Sequence, residues 1–177
     1  MNVIGIAGFS GAGKTTLVES MIPLLKAAGQ RVSVVKHAHH SFNIDHEGKD
    51  TWRHRAAGAF EVVVASNTRL ALMREFEQAS TPNVHQVIAE LYDGVDWVIV
   101  EGFKNSNLHK LEVWRASAGK PARYVEDPFI AAIATDSPDQ LPVATNRAVL
   151  DLNQPQAVVD WLLANRLRFG YQAEMFA

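Results

Sequence analysis

Cysteine is absent from this chain of 177 residues, which excludes disulfides, thiolate-bound zinc and a cysteine nucleophile together and fits a reducing cytosol. No apolar run approaches the ~20 residues needed to cross a bilayer. The first residues carry no basic segment ahead of an apolar one, so no secretory leader is expected. The expectation is a soluble cytoplasmic protein with no membrane partner. Neither sign of charge dominates: 17 Lys and Arg face 19 Asp and Glu, a formal net charge of −2. That argues against a nucleic-acid partner held by general electrostatics. Repeats, low-complexity tracts and linkers are not found, and the length suits one domain with a real core.

What is present begins with "NVIGIAGFSGAGKTTL". The apolar stretch Val3 to Ala7 reads as a buried strand. From Lys14, the residues Leu17, Met21, Leu24, Leu25 and Ala28 fall at helical spacing, and Gly29 supplies a stop. Pro23 lies inside that helix, where it removes a backbone hydrogen bond and is expected to bend the axis. "RVSVVKH" reads as a second strand, completing a βαβ unit. Further strands are expected in "DWVIVEGF", "LEVWR" and "FIAAIATD", and a hairpin in "FEVVVASNTRLALMRE". Short helices are expected in "TWRHRAAGA" and from Pro82 to about Tyr92, and a closing helix from Pro155 to Arg168. The fold class is therefore α/β: three layers, a mostly parallel sheet with helices on both faces, and an extra hairpin.

Gly8, Gly13, Lys14 and Thr15 satisfy G-x-x-x-x-G-K-[ST] between a strand and a helix, the context that gives this motif its meaning. Glycines allow successive backbone N–H groups to turn inward, and the helix N-terminus adds its dipole, so the loop suits a polyphosphate. Lys14 is placed to reach the β- and γ-phosphates and Thr15 to present a hydroxyl to Mg²⁺. A second acid is needed at the end of a neighbouring strand. Glu101, closing "WVIVE", stands at the carboxyl edge where open parallel sheets hold ligands. Asp96 precedes the same strand and falls at its far end. A solvated, strand-capping glutamate is the plainer reading of Glu101.

Five of the seven histidines fall between His37 and His54, among Asp45, Glu47 and Asp50. Imidazole and carboxylate suit a transition metal; the same loop, leaving the ligand edge, also suits contact with phosphates or an acceptor. A third reading is ordinary loop polarity.

Taken together, "GFSGAGKTTL", "VKHAHHSFNIDHEGKDTWRHRAAGA", "VVASNTRLALM", "VIVEGFK" and "IAAIATD" resemble the molybdopterin-guanine dinucleotide biosynthesis adaptor proteins, the MobB family. The resemblance runs from the first residues to about Asp136. It implies that residues 1–177 form a single GTP-binding domain, cytoplasmic and homodimeric, with weak Mg²⁺-dependent GTP hydrolysis. In this reading the protein is mainly an accessory to the guanylyltransferase that joins GMP to molybdopterin, with molybdopterin or the molybdenum cofactor as a further expected partner. Carried over residue by residue, Gly8, Ser10, Gly11, Ala12, Gly13, Lys14, Thr15 and Thr16 bind phosphates. Thr15 and Glu101 serve the metal, and Lys14 and Glu101 the reaction. Lys36, His37, Asp45, Lys49, Asp50 and Arg55 match the loop signature without individual roles.

Guanine selectivity has no N-K-x-D run to support it. Asp136, ending "IAAIATD" at the ligand edge, is placed to accept from guanine N1 and N2; a turn-capping aspartate is the alternative. Two other functions stay open. A small phosphate-loop kinase needs a lid, for which "ASAGKPARYVEDP" with Lys120 and Arg123 is the candidate. A metal-delivery GTPase would use the histidine loop.

Overall fold

The sheet is assembled from short apolar runs that cannot face water on either side. β1 (Asn2–Ala7), β5 (Trp97–Glu101), β6 (Lys110–Trp114) and β7 (Ile130–Thr135) are buried almost throughout, the pattern of strands covered on both faces. A computed structural model describes residues 1–38, 42–78, 82–91 and 93–172. In it the strands form one six-stranded parallel sheet in the order β2-β5-β1-β6-β7-β8, with β2 at Val32–Lys36 and β8 at Ala148–Asp151. The expected α/β architecture is present.

Helices close both faces. α1 (Lys14–Ala27) and α4 (Pro155–Ala164) cover one, burying Leu17, Met21, Leu25, Val158 and Leu162 against Ile4, Ile6, Ile99, Leu111 and Val113. On the other face Val84 and Ile88 of α3 (Val84–Ala89) pack on Val35, Val98 and Val100. Met21 and Leu25 are fully buried, so truncating either to Ala would cost about 2–5 kcal/mol. α1 runs through Pro23 without interruption. Pro23 is exposed there, so the carbonyl it leaves unpaired can turn to water.

Several boundaries shift. α3 starts after Asn83, whose side chain accepts from the His85 N–H at 2.9 Å, rather than at Pro82, and it ends at Ala89. α4 stops at Ala164; Arg166–Phe169 tighten into a 3₁₀ turn that buries Phe169. β8 was not expected: only four residues long, it is an edge strand in which half-buried Ala148 and Leu150 alternate with exposed Val149 and Asp151. Ala28 is exposed and Val18 takes a buried place on α1.

By compactness the chain gathers into two units, residues 1–37 with 83–177, and residues 38–82. The second holds α2 (Asp50–Ala56) and an antiparallel hairpin of β3 (Glu61–Ala65) and β4 (Leu70–Arg74). No helix among the described residues is long and apolar enough to cross a membrane.

Candidate functional site

Residues 8–16 join β1 to α1 in a tight loop at the carboxyl edge of the sheet. Gly8 has φ 134°, and a Cβ there would collide with the Val113 carbonyl oxygen; only glycine lets the loop lie against β6. Gly13 is left-handed at the helix start, with no side chain capping the first amide groups. The unsatisfied N–H groups of the first turn are what an anion would meet. Ala12 is buried beneath the loop, while Ser10, Gly11, Thr15 and Thr16 are exposed.

Lys14 folds back across the loop, its ammonium donating to the Phe9 carbonyl at 2.9 Å. Burial holds its pKa below the ordinary lysine value, opposed by the Glu101 charge and reinforced by Lys36. Thr15 Oγ1 donates to Glu101 Oε1 at 2.8 Å, and Lys36 Nζ lies 3.4 Å from Glu101 Oε2. Glu101 is 8% exposed, so it is a buried acid with partners rather than a solvated strand cap. Because the hydroxyl spends its proton on Glu101, its lone pairs remain outward for a cation. Hydroxyl and carboxylate oxygens are the donors that Mg²⁺ takes, and the pair fits that ion.

Asp136 is also engaged. Arg115, just past β6, pairs with Asp136 Oδ2 through Nη1 and donates from Nε to the Ala12 carbonyl at 3.1 Å; Ser137 Oγ donates to Asp136 Oδ1 at 2.8 Å. Sequence reasoning named Arg55 but not Arg115. The available signal was position: Arg115 closes "LEVW" at the same carboxyl edge as Glu101 and Asp136.

His37 stacks on Phe103, ring centroids 4.7 Å apart, beside Gly102 of the E-G-F-K segment. In the second unit Arg55 grips Asp45 with two hydrogen bonds, at 2.7 and 3.0 Å, and reaches Glu75 at 2.6 Å. These partners raise its pKa further. Lys49 stands at the N-cap of α2, and Asp50, in its first turn, lies 3.9 Å from Arg53. Among the described residues no three His, Asp or Glu side chains gather as a metal cage; His39 and His40 lie outside the described residues. The stretch considered as a lid is anchored: Glu112 accepts from the Arg123 and Tyr124 amides at 2.6 and 2.7 Å, and Tyr124 is buried.

Comparison with known proteins adds to this geometry. The family profile described as molybdopterin guanine dinucleotide synthesis protein B, MobB, matches residues 3–136. The chain belongs to the MobB family. It is 38% identical over 162 residues to a molybdopterin-guanine dinucleotide biosynthesis adapter protein of Haemophilus influenzae, covering 90% of this chain and 86% of that one. An Escherichia coli protein of the same description is 37% identical, with 91% of each chain covered. The crystal structure of a MobB homologue from Bacillus stearothermophilus superposes with a TM-score of 0.66 at 25% identity, covering 94% of this chain and 99% of that one. MobB membership accounts for the fold: a phosphate-loop NTPase sheet, with Glu101 closing β5 and Lys14 opening α1.

Proposed function

We propose that this MobB-family chain binds GTP with Mg²⁺, hydrolyses it slowly, and acts as an adaptor for the guanylyltransferase that joins GMP to molybdopterin. The observation that carries the reading is the contact of Thr15 with Glu101 at the mouth of a glycine loop. The family relatives' description as adapter proteins supplies the biosynthetic setting.

In this reading the amide groups of residues 11–16 cradle the phosphates, and Lys14 exchanges the Phe9 carbonyl for phosphate oxygens. Thr15 and Glu101 would hold Mg²⁺, and the ion would neutralise charge on the β- and γ-phosphates. Asp136 accepts from the guanine edge. Arg115 is already committed to Asp136 and Ala12, which leaves it poorly placed to activate water, and slow hydrolysis follows. The exposed apolar face of the β3–β4 hairpin supports a homodimer.

A pull-down from cytosol with and without a non-hydrolysable GTP analogue tests the adaptor role. Recovery of the guanylyltransferase only with the nucleotide is the expected result; a γ-phosphate transferred to an acceptor in the same extract would instead indicate a kinase.

A further inference from the structure

β6 carries two charged residues where a buried parallel strand ordinarily carries none. Lys110 is 2% exposed and Glu112 fully buried, and both face the side of the sheet away from α1 and α4. Burying two ionisable groups is costly unless each is fully engaged. Even the neighbouring strand yields to them: a Cβ on Gly5 would come within 2.9 Å of Lys110 Cγ.

What the two groups do is brace a cavity. Lys110 Nζ donates to the Ser106 carbonyl at 2.5 Å and to Asp127 Oδ2 at 3.0 Å, tying together the loops on its two sides. Glu112 accepts from the Arg123 and Tyr124 amides, despite burial raising its pKa, and so fixes where Arg123 stands. Between these loops lies a cavity of about 450 Å³ lined by Phe9, Lys104, Asn105, Arg123, Asp127 and Phe129 among others. Phe9 is shared with the phosphate loop.

The cavity is set up for an anion. Arg123 anchors itself through Nη2 on the Lys104 carbonyl and Asn105 Oδ1, at 3.2 and 3.4 Å. Its Nε is buried with no hydrogen-bond partner among the described residues, a state that folded proteins rarely leave without a use. Lys104, the last residue of the E-G-F-K segment, has no acid partner among the described residues. Asp127 is neutralised by Lys110, leaving two cations against the single acid Glu126. Phe9, Phe129 and two prolines supply apolar walls.

We propose that this cavity is a second ligand site, distinct from the phosphate loop, for a phosphomonoester carried on a ring-bearing body. Lys104 holds the phosphate as a point charge, and Arg123 through the guanidinium N–H groups that its anchor leaves over. Phe9 and Phe129 border the ring. The proposal rests on the adaptor reading only for why a phosphorylated small molecule should stand beside a bound nucleotide.

The test uses the ¹⁵N-labelled full chain and three probes, phenyl phosphate, inorganic phosphate and phenol, followed by amide shifts in NMR titrations with a saturating non-hydrolysable GTP analogue and Mg²⁺. Phenyl phosphate is expected to shift the amides of residues 104–106 and 122–129 and to bind more tightly than either half-probe. The same shifts are expected in Lys14→Ala without nucleotide, so a failure of GTP binding would not mask the result. Lys104→Ala, at an exposed position, should weaken phenyl phosphate about tenfold, the loss of one charge-assisted contact, and Lys104→Arg should restore most of it. Shifts confined to residues 8–16, loss of binding in Lys14→Ala, equal binding of phenol, indifference to Lys104→Ala, or no shift with any probe would each overturn the proposal.

Discussion

Thr15 and Glu101 stand 86 positions apart in the chain, yet their side chains meet at 2.8 Å. The parallel register of β1 with β5, Ile6 opposite Glu101, is what makes the contact: the phosphate loop leaves β1 just where β5 presents its acid. Thr15→Ala and Glu101→Gln should each lower nucleotide affinity in Mg²⁺ by about 10–100-fold, the usual effect of losing a group that holds or orients a metal ligand. Without Mg²⁺ the loss should be small. Calorimetry with GTP, with and without Mg²⁺, measures both; equal losses in the two conditions would remove the metal role.

Lys14 carries a pH signature. In the free protein burial lowers its pKa, whereas bound phosphates favour the ammonium form. Affinity should therefore be complete below the free-protein value and decline as pH rises through it, still short of the ordinary lysine range. Within that window binding takes up protons. Calorimetry in two buffers of different ionisation enthalpy reads the uptake directly. An affinity that stays flat from neutral pH to the ordinary lysine value would count against Lys14 as the phosphate-binding cation.

The Arg115–Asp136 pair allows the base and the phosphates to be separated experimentally. Arg115 donates to the Ala12 carbonyl, so Arg115→Ala should loosen the phosphate loop and weaken GTP and ATP alike. Asp136→Ala should instead reduce the preference for GTP over ATP, by about 10–100-fold if both guanine hydrogen bonds are lost. Competition binding with the two nucleotides distinguishes these outcomes. An unchanged GTP to ATP ratio in Asp136→Ala would leave Asp136 as a turn residue and partner of Arg115 only.

Gly102 tests the fold beneath the site. Its φ is 101°, and a Cβ there would lie 2.6 Å from His37 Cβ and 3.3 Å from the His37 amide nitrogen. Both the backbone conformation and the contact oppose any side chain, so Gly102→Ala should cost at least about 1–3 kcal/mol. Urea denaturation checks it; an unmoved midpoint would mean that β2 and β5 can separate freely at their carboxyl ends.

How far these features could be read in advance depended on whether their cause was local. The glycine loop and Glu101 were legible because strand, loop and helix follow one another directly, and an apolar run ending in an acid marks a strand edge. Arg115 was not, because a single arginine after a strand looks the same whether it meets solvent or a distant carbonyl. Lys110 and Glu112 are harder still: within "KLEVW" they have the spacing of an outward, solvated face. Their partners, Asp127 and the Arg123 and Tyr124 amides, come from a loop with neither helical nor strand period. The four residues of β8 are held in place by β7 rather than by their own pattern.

The hairpin of the second unit bears on assembly. Cross-strand pairs Val63 with Leu72 and Ala65 with Leu70 put their side chains on one face. Val63, Leu70 and Leu72 are 54%, 67% and 43% exposed. A two-stranded ribbon gains little stability alone and presents free edges, so an apolar face on it favours pairing with a second copy. Val63→Lys together with Leu70→Lys would put two charges into such an interface while leaving the Glu61–Arg74 ion pair, 2.7 Å, at the far end of the ribbon. The double variant should therefore shift the mass seen by light scattering from dimer to monomer, with the circular dichroism of the fold preserved. A dimer that survives both substitutions would place the interface elsewhere on the chain.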